Sequence, residues 1–124
     1  MEIINLPAKE DSPSVILDAQ NGKYEIAGKS MPEDVASFYQ PIMNWLNQYA
    51  ENGTGEIVFD FKLVYFNTAS SKLLLDIMIK LEEMHESGKS IKIKWHYSAD
   101  DEDMQEAGEE YADMIEVPLE MIEY

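Results

Sequence analysis

The chain has no cysteine. Disulfides, thiolate nucleophiles and sulfur-based metal sites are excluded together, and the absence fits a reducing compartment. Histidine is scarce, with only His85 and His96. A hydrolase needs an activated nucleophile, a pair of placed carboxylates or a metal, and no histidine–carboxylate–serine grouping is readable. Both histidines are expected to be structural. Positive charge is also scarce: 9 basic residues stand against 25 acidic ones, for a net charge of −16. Such a surface repels phosphate backbones and anionic lipid, so neither nucleic acid nor a membrane is an expected partner. Basic protein surfaces are attracted instead. No apolar run approaches the thickness of a bilayer. The start, Met1-Glu2-Ile3-Ile4-Asn5, lacks the basic and apolar regions of a signal peptide. A soluble cytoplasmic protein is the expectation. Phosphate-loop chemistry is absent, because Gly53-Thr54-Gly55 has neither the lysine nor the spacing. Calcium binding by Asp100-Asp101-Glu102-Asp103 fails as well. An EF-hand loop from Asp101 needs glycine and glutamate where Glu106 and Ala112 stand. No metal and no cofactor is expected.

What is present organises into alternating β and α segments. A chain of 124 residues is expected to form one domain and to bury roughly two thirds of its unfolded surface. Ser14 to Asp18 is a short apolar run, Asn21-Gly22 is a hairpin signal, and Lys23 to Ala27 alternates. Ser30-Met31-Pro32-Glu33 reads as a capping box. Val35, Phe38, Tyr39, Ile42, Leu46 and Tyr49 follow on one helical stripe. Pro41 inside that stripe predicts a kink or a two-part helix. Ile57 to Val64 is a strand, and Leu73 to Met84 is helical, with Leu75 and Ile79 widening its apolar face. Ser90 to Tyr97 alternates cleanly. Ser98 is expected to cap an acidic helix over about Asp101 to Asp113, weakened by Gly108. A last strand is expected over Val117 to Ile122, despite Pro118.

The order β-β-α-β-α-β-α-β implies parallel neighbours joined by crossovers. Strands buried on both faces would be continuously apolar, yet Lys62, Lys92 and Lys94 share one face. A two-layer α/β arrangement is therefore expected, with helices on one face of a mixed sheet and the other face open to water.

The most informative stretch is Tyr65-Phe66-Asn67-Thr68-Ala69-Ser70-Ser71-Lys72. It joins an apolar strand to an apolar helix. A helix start leaves backbone N–H groups unpaired and favours negative charge. Three hydroxyls, on Thr68, Ser70 and Ser71, gather there. Two readings stand side by side: Asn67 or Thr68 simply caps the helix, or the cluster is a phosphorylation switch. A phosphate on Thr68 adds about −1.5 to −2 charges, which the helix start offsets by about 0.3–1 kcal/mol, and Lys72 one turn on can pair with it. The local fold would survive such a modification. A partner docked over the same spot would not, since a buried unpaired phosphate is very costly.

Three segments carry a family resemblance. They are Ser12-Pro13-Ser14-Val15; Gly28-Lys29-Ser30-Met31-Pro32-Glu33 running into Phe38-Tyr39-Gln40-Pro41-Ile42 and Trp45-Leu46; and Tyr65-Phe66-Asn67-Thr68 through Ser71-Lys72 with Leu74-Leu75. In these blocks the chain resembles the SiaC-like regulatory phosphoproteins, bacterial proteins similar in architecture to STAS domains, the fold of anti-sigma-factor antagonists. The resemblance implies a STAS-like fold over 1–124 and a phosphoacceptor at Thr68. It implies Asn67, Ser70, Ser71 and Lys72 as the surrounding loop and partner surface. It also implies partner switching with a serine/threonine kinase and a PP2C-type phosphatase, and binding to a diguanylate cyclase that promotes biofilm formation. Two rivals remain. One is a constitutive binding module using the acidic helix, since nine acids and no base lie between Asp100 and Glu116. The other is a small enzyme using a carboxylate such as Asp60.

Overall fold

The computed structural model describes residues 2–124. Nine elements follow in order: β1 (Ile4–Leu6), β2 (Ser14–Asp18), β3 (Lys23–Ser30), α1 (Val35–Asn52), β4 (Ile57–Phe66), α2 (Thr68–Glu86), β5 (Ile91–Tyr97), α3 (Glu102–Met114) and β6 (Leu119–Glu123). The expected order is present, preceded by the short strand β1. Three residues are too few to show a period of two. β1 becomes a strand because β2 offers an antiparallel edge, on which Ile4 faces Leu17 and Leu6 faces Val15.

The strands stand in chain order, β1 to β6, in one sheet. β1, β2 and β3 pair antiparallel. The β2–β3 turn is fastened by Asp18, whose carboxylate accepts from the backbone N–H groups of Gln20 and Asn21, while Gly22 takes the left-handed conformation at φ +66°. β3 to β6 pair parallel, each step spanned by one helix. All three helices pack on the same side and share one core with Ile57, Phe59, Phe61, Leu63, Ile91, Ile93 and Trp95 of the sheet. Phe59, Phe61 and Trp95 stack in a row, with centroids 4.8 and 5.9 Å apart.

The uncovered face carries the alternate residues. Ion pairs cross it between Lys62 and Glu25 (3.0 Å) and between Lys92 and Glu120 (2.8 Å), and His96 Nε2 is hydrogen-bonded to Asp60 Oδ1 (2.7 Å). Pairs this wet each add about 0–1 kcal/mol, so the face is solvated rather than stabilising.

Several helix boundaries differ from the sequence reading. Ser30 does not cap α1. It ends β3, where it pairs with Phe66 across a register shift at Gly28/Lys29. Asp34 is the cap, its carboxylate accepting from Ser37 N (3.1 Å) and Ser37 Oγ (2.8 Å). Pro41 lies within a single continuous helix ending at Gly53. Ser98 does not cap α3; its hydroxyl is taken by Asp100 (2.6 Å), and Asp101 accepts from Met104 N (3.0 Å). β6 begins at Leu119, just after Pro118, whose carbonyl still accepts from Ile93 N (2.9 Å). A proline loses a donor but keeps its acceptor.

Candidate functional site

The bulge at the end of β3 brings Ser30 beside the β4–α2 junction, where the Ser30 carbonyl accepts from Asn67 N (3.1 Å). Asn67 is extended (φ −84°, ψ 173°) and its side-chain oxygen accepts from Ser70 N (2.8 Å). Of the two cap candidates, Asn67 is therefore the cap, and Thr68 is the first helical residue. Ser71 N is bonded to the Asn67 carbonyl (3.0 Å). Thr68 N and Ala69 N have no partner among the described residues. They are the free donors that make a helix start receptive to an anion.

The three hydroxyls have three different settings. Ser70 is wholly enclosed. Its Oγ accepts from Ser30 Oγ (2.9 Å), which is in turn 2.6 Å from the Tyr39 hydroxyl. One proton each makes Tyr39 the donor to Ser30 and Ser30 the donor to Ser70. Burial pushes the Tyr39 phenol up to about 12, so the chain of donors stays neutral. Ser71 is half-buried and donates back to the Thr68 carbonyl (2.6 Å). Thr68 alone is exposed, and its hydroxyl has no partner among the described residues. Lys72, also exposed, lies one turn along α2.

Thr68, Ser71 and Lys72 form one lip of a groove of about 590 Å³ between α2 and α3. Phe66, Leu75, Ala107 and Tyr111 line it, with Glu110 and Met114 on the α3 side. The Tyr111 hydroxyl donates to the Ser71 carbonyl (2.8 Å), tying α3 to the first turn of α2. Burial raises the Tyr111 phenol well above the usual range, with lesser contributions from the nearby Tyr39 and Glu110. Of the residues expected around Thr68, Ser71 and Lys72 lie on this lip with it, whereas Asn67 caps α2 and does not line the groove. Ser70 faces inward and takes no part in the surface. Ser30, Tyr39, Tyr111 and Met114 were not foreseen as neighbours. Tyr39 was legible only as a core residue, since nothing local shows where a phenol hydroxyl ends.

Elsewhere, Asp60 meets His96 on the uncovered sheet face, a pair that separate strands conceal in the sequence. Among the described residues, no group of three or more histidine or carboxylate side chains is arranged to hold a metal ion. No helix there is long and apolar enough to cross a membrane.

Comparison with known proteins places this geometry in a family. The family model described as SiaC family regulatory phosphoprotein matches residues 6–124. This chain belongs to the SiaC family. A protein of Pseudomonas aeruginosa (strain UCBPP-PA14) is 29% identical over 119 residues, which are 96% of this chain and 94% of that protein. The crystal structure of apo-SiaC from Pseudomonas aeruginosa superposes with a TM-score of 0.90 at 28% identity, covering 98% of this chain and 99% of that one. A second structure shows the diguanylate cyclase SiaD in complex with its activator SiaC from the same organism. This chain matches it with a TM-score of 0.92 at 27% identity and the same coverage. The SiaC family is one of regulatory phosphoproteins, and the α/β architecture expected from the sequence is the one these structures share.

Proposed function

We propose that this protein is a non-enzymatic, cytoplasmic phosphoswitch whose single domain, 1–124, changes partners when Thr68 is phosphorylated. One observation carries the reading: Thr68 offers an exposed, unpartnered hydroxyl at the first position of α2, on the lip of an apolar groove. A phosphate there meets the free N–H groups of Thr68 and Ala69 and the ammonium of Lys72 at short range. Charge-assisted bonds of this kind are the strong ones, so α2 keeps its start. A partner seated over the groove would have to bury about two negative charges beside apolar walls, which ejects it. A serine/threonine kinase and a PP2C-type phosphatase write and erase the mark. The output partner is a diguanylate cyclase, by the likeness to SiaC, which activates SiaD.

The test is capture of a diguanylate cyclase from the native cell by Thr68→Ala and Thr68→Glu proteins, alongside intact-mass measurement of the native protein. The switch predicts a phosphate on Thr68, capture by the alanine form and loss by the glutamate form. Equal capture by both would overturn it in favour of constitutive binding through α3.

A further inference from the structure

The two edges of the sheet are guarded differently. β1 and β6 are both edge strands, and an open strand edge is a template for pairing unless charge, proline or a cover blunts it. β6 is guarded by Glu120 and Glu123, with Glu116 just before it. Gly108 of α3 packs beside its Met121. Residues 98–124 hold 11 acids and no base, which is most of the net charge of −16. β1 has no such guard. Ile3-Ile4-Asn5-Leu6-Pro7-Ala8 carries no charge, and Ile3 and Leu6 are exposed by 47% and 38%. The backbone groups of β1 that turn away from β2 have no partner among the described residues.

This edge is also held in place. The Glu2 carbonyl accepts from the Trp45 indole N–H (2.7 Å), which anchors the lead into β1 on α1. Ile4 and Leu6 lie opposite Leu17 and Val15 and so share the helix side of the sheet, whereas Asn5 lies opposite Ile16 on the uncovered side. α1, which flanks this edge, has no charged side chain from residue 35 to residue 50. Its exposed positions there include Gln40, Asn44, Asn47 and Gln48. One end of the molecule is thus neutral, with an apolar rim, and the other end is strongly anionic.

Two copies at net −16 repel wherever acids meet. They approach at least cost through their neutral ends, which also sets the two α3 helices far apart. The strand itself is self-complementary. An antiparallel pair about a two-fold axis at Asn5 sets Asn5 against Asn5 of the second copy. Ile4 then faces Leu6 of the second copy, and Leu6 faces its Ile4. The same patch serves both sides, as an isologous contact requires. Pro7 has no N–H and ends the ladder.

We infer that β1 is the contact of a weak homodimer, in which two copies join edge to edge and their sheets run on as one. A ladder this short falls below the roughly 1,200 Å² of stable complexes, which corresponds to a Kd of about 10–100 µM. The contact lies three strands from β4 and leaves Thr68 uncovered, so it stands independently of the switch.

Sedimentation of the full chain from about 10 to about 500 µM tests this. The sedimentation coefficient is expected to rise from monomer to dimer and to stop there. Moderate salt favours the dimer, because screening relieves repulsion and breaks no ion pair in the seam. Asn5→Lys and Asn5→Glu, each altered at an exposed side chain, set like charges face to face and each weaken dimerisation about fivefold. An equimolar mixture of the two restores it, since opposite charges then meet across the axis. Amide exchange in β1 slows as the concentration of the unaltered protein rises, while exchange in β6 does not, and that measurement needs no variant. A chain that stays monomeric throughout leaves the edge to another protein and overturns the proposal. A mixture no tighter than its components places the axis elsewhere and overturns it as well. Growth past the dimer, or a loss in Glu123→Lys equal to that in Asn5→Lys, means a head-to-tail contact on β6 and does the same.

Discussion

Thr68 and Ser70 are two residues apart and have opposite fates. A helix turns about 200° over that interval, so one hydroxyl looks outward and the other inward. The phase is set by Asn67, whose side chain holds Ser70 N. Asn67→Ala is expected to cost about 1 kcal/mol, read as a lower urea midpoint with the slope unchanged. Ser70→Ala strands the Ser30 proton inside the core and is expected to cost about 1–3 kcal/mol. Thr68→Ala changes an exposed, unpartnered group and should stay within about 0.5 kcal/mol. Equal costs at 68 and 70 in urea denaturation would contradict the assignment of inside and outside. The hydroxyl cluster itself was visible in the sequence because its members are contiguous. Its sorting was not, because the partners that claim Ser70, namely Ser30 and Tyr39, belong to β3 and α1.

Elements obeyed their periodicity better than their punctuation. The stripe of α1 and the alternation of β4 and β5 are dictated by one buried face each, which is a property of the local sequence. Caps depend instead on where the preceding strand lets go. Ser30 has the right chemistry for a cap but is held by β4, so Asp34 takes the role four residues later. β1 exists only through its neighbour. Gly108 is the clearest case of tertiary structure reversing a local rule. By propensity, alanine there would strengthen α3 by about 1 kcal/mol. In the fold Gly108 is buried against Trp95, and a Cβ would run into the indole ring and Met121. The same indole donates to the Met104 carbonyl (2.9 Å). Gly108→Ala is therefore expected to destabilise, by about 1–3 kcal/mol net of overpacking. A raised melting temperature would show that α3 can shift off the sheet without loss.

At the scale of the whole molecule, charge dominates the response to solution conditions. Screening relieves self-repulsion at net −16, so moderate salt should raise the melting temperature while slowing association with a basic partner. The alkaline limit comes from buried phenols. Tyr24 and Tyr39 are each pushed up to about 12, chiefly by burial, from an unfolded value of 10.0. The unfolded chain then loses these protons first. Their contribution to stability is complete below pH 10 and is lost as pH rises through about 12. Denaturation midpoints measured from pH 8 to 12 should hold until about pH 10 and then fall, with phenolate absorbance from the folded protein lagging behind that of the unfolded chain. Flat midpoints through pH 12 would mean these phenols reach water in the native state.

The coincidence of spatial and chain order in the sheet has a consequence for biosynthesis. As the chain leaves the ribosome, each new strand finds its neighbour already in place, and assembly can proceed vectorially from one edge to the other. Thr68 emerges well before α3, so a nascent chain displays this threonine before the α3 wall beside it exists. The groove at Thr68 is completed only when α3 has packed beside α2.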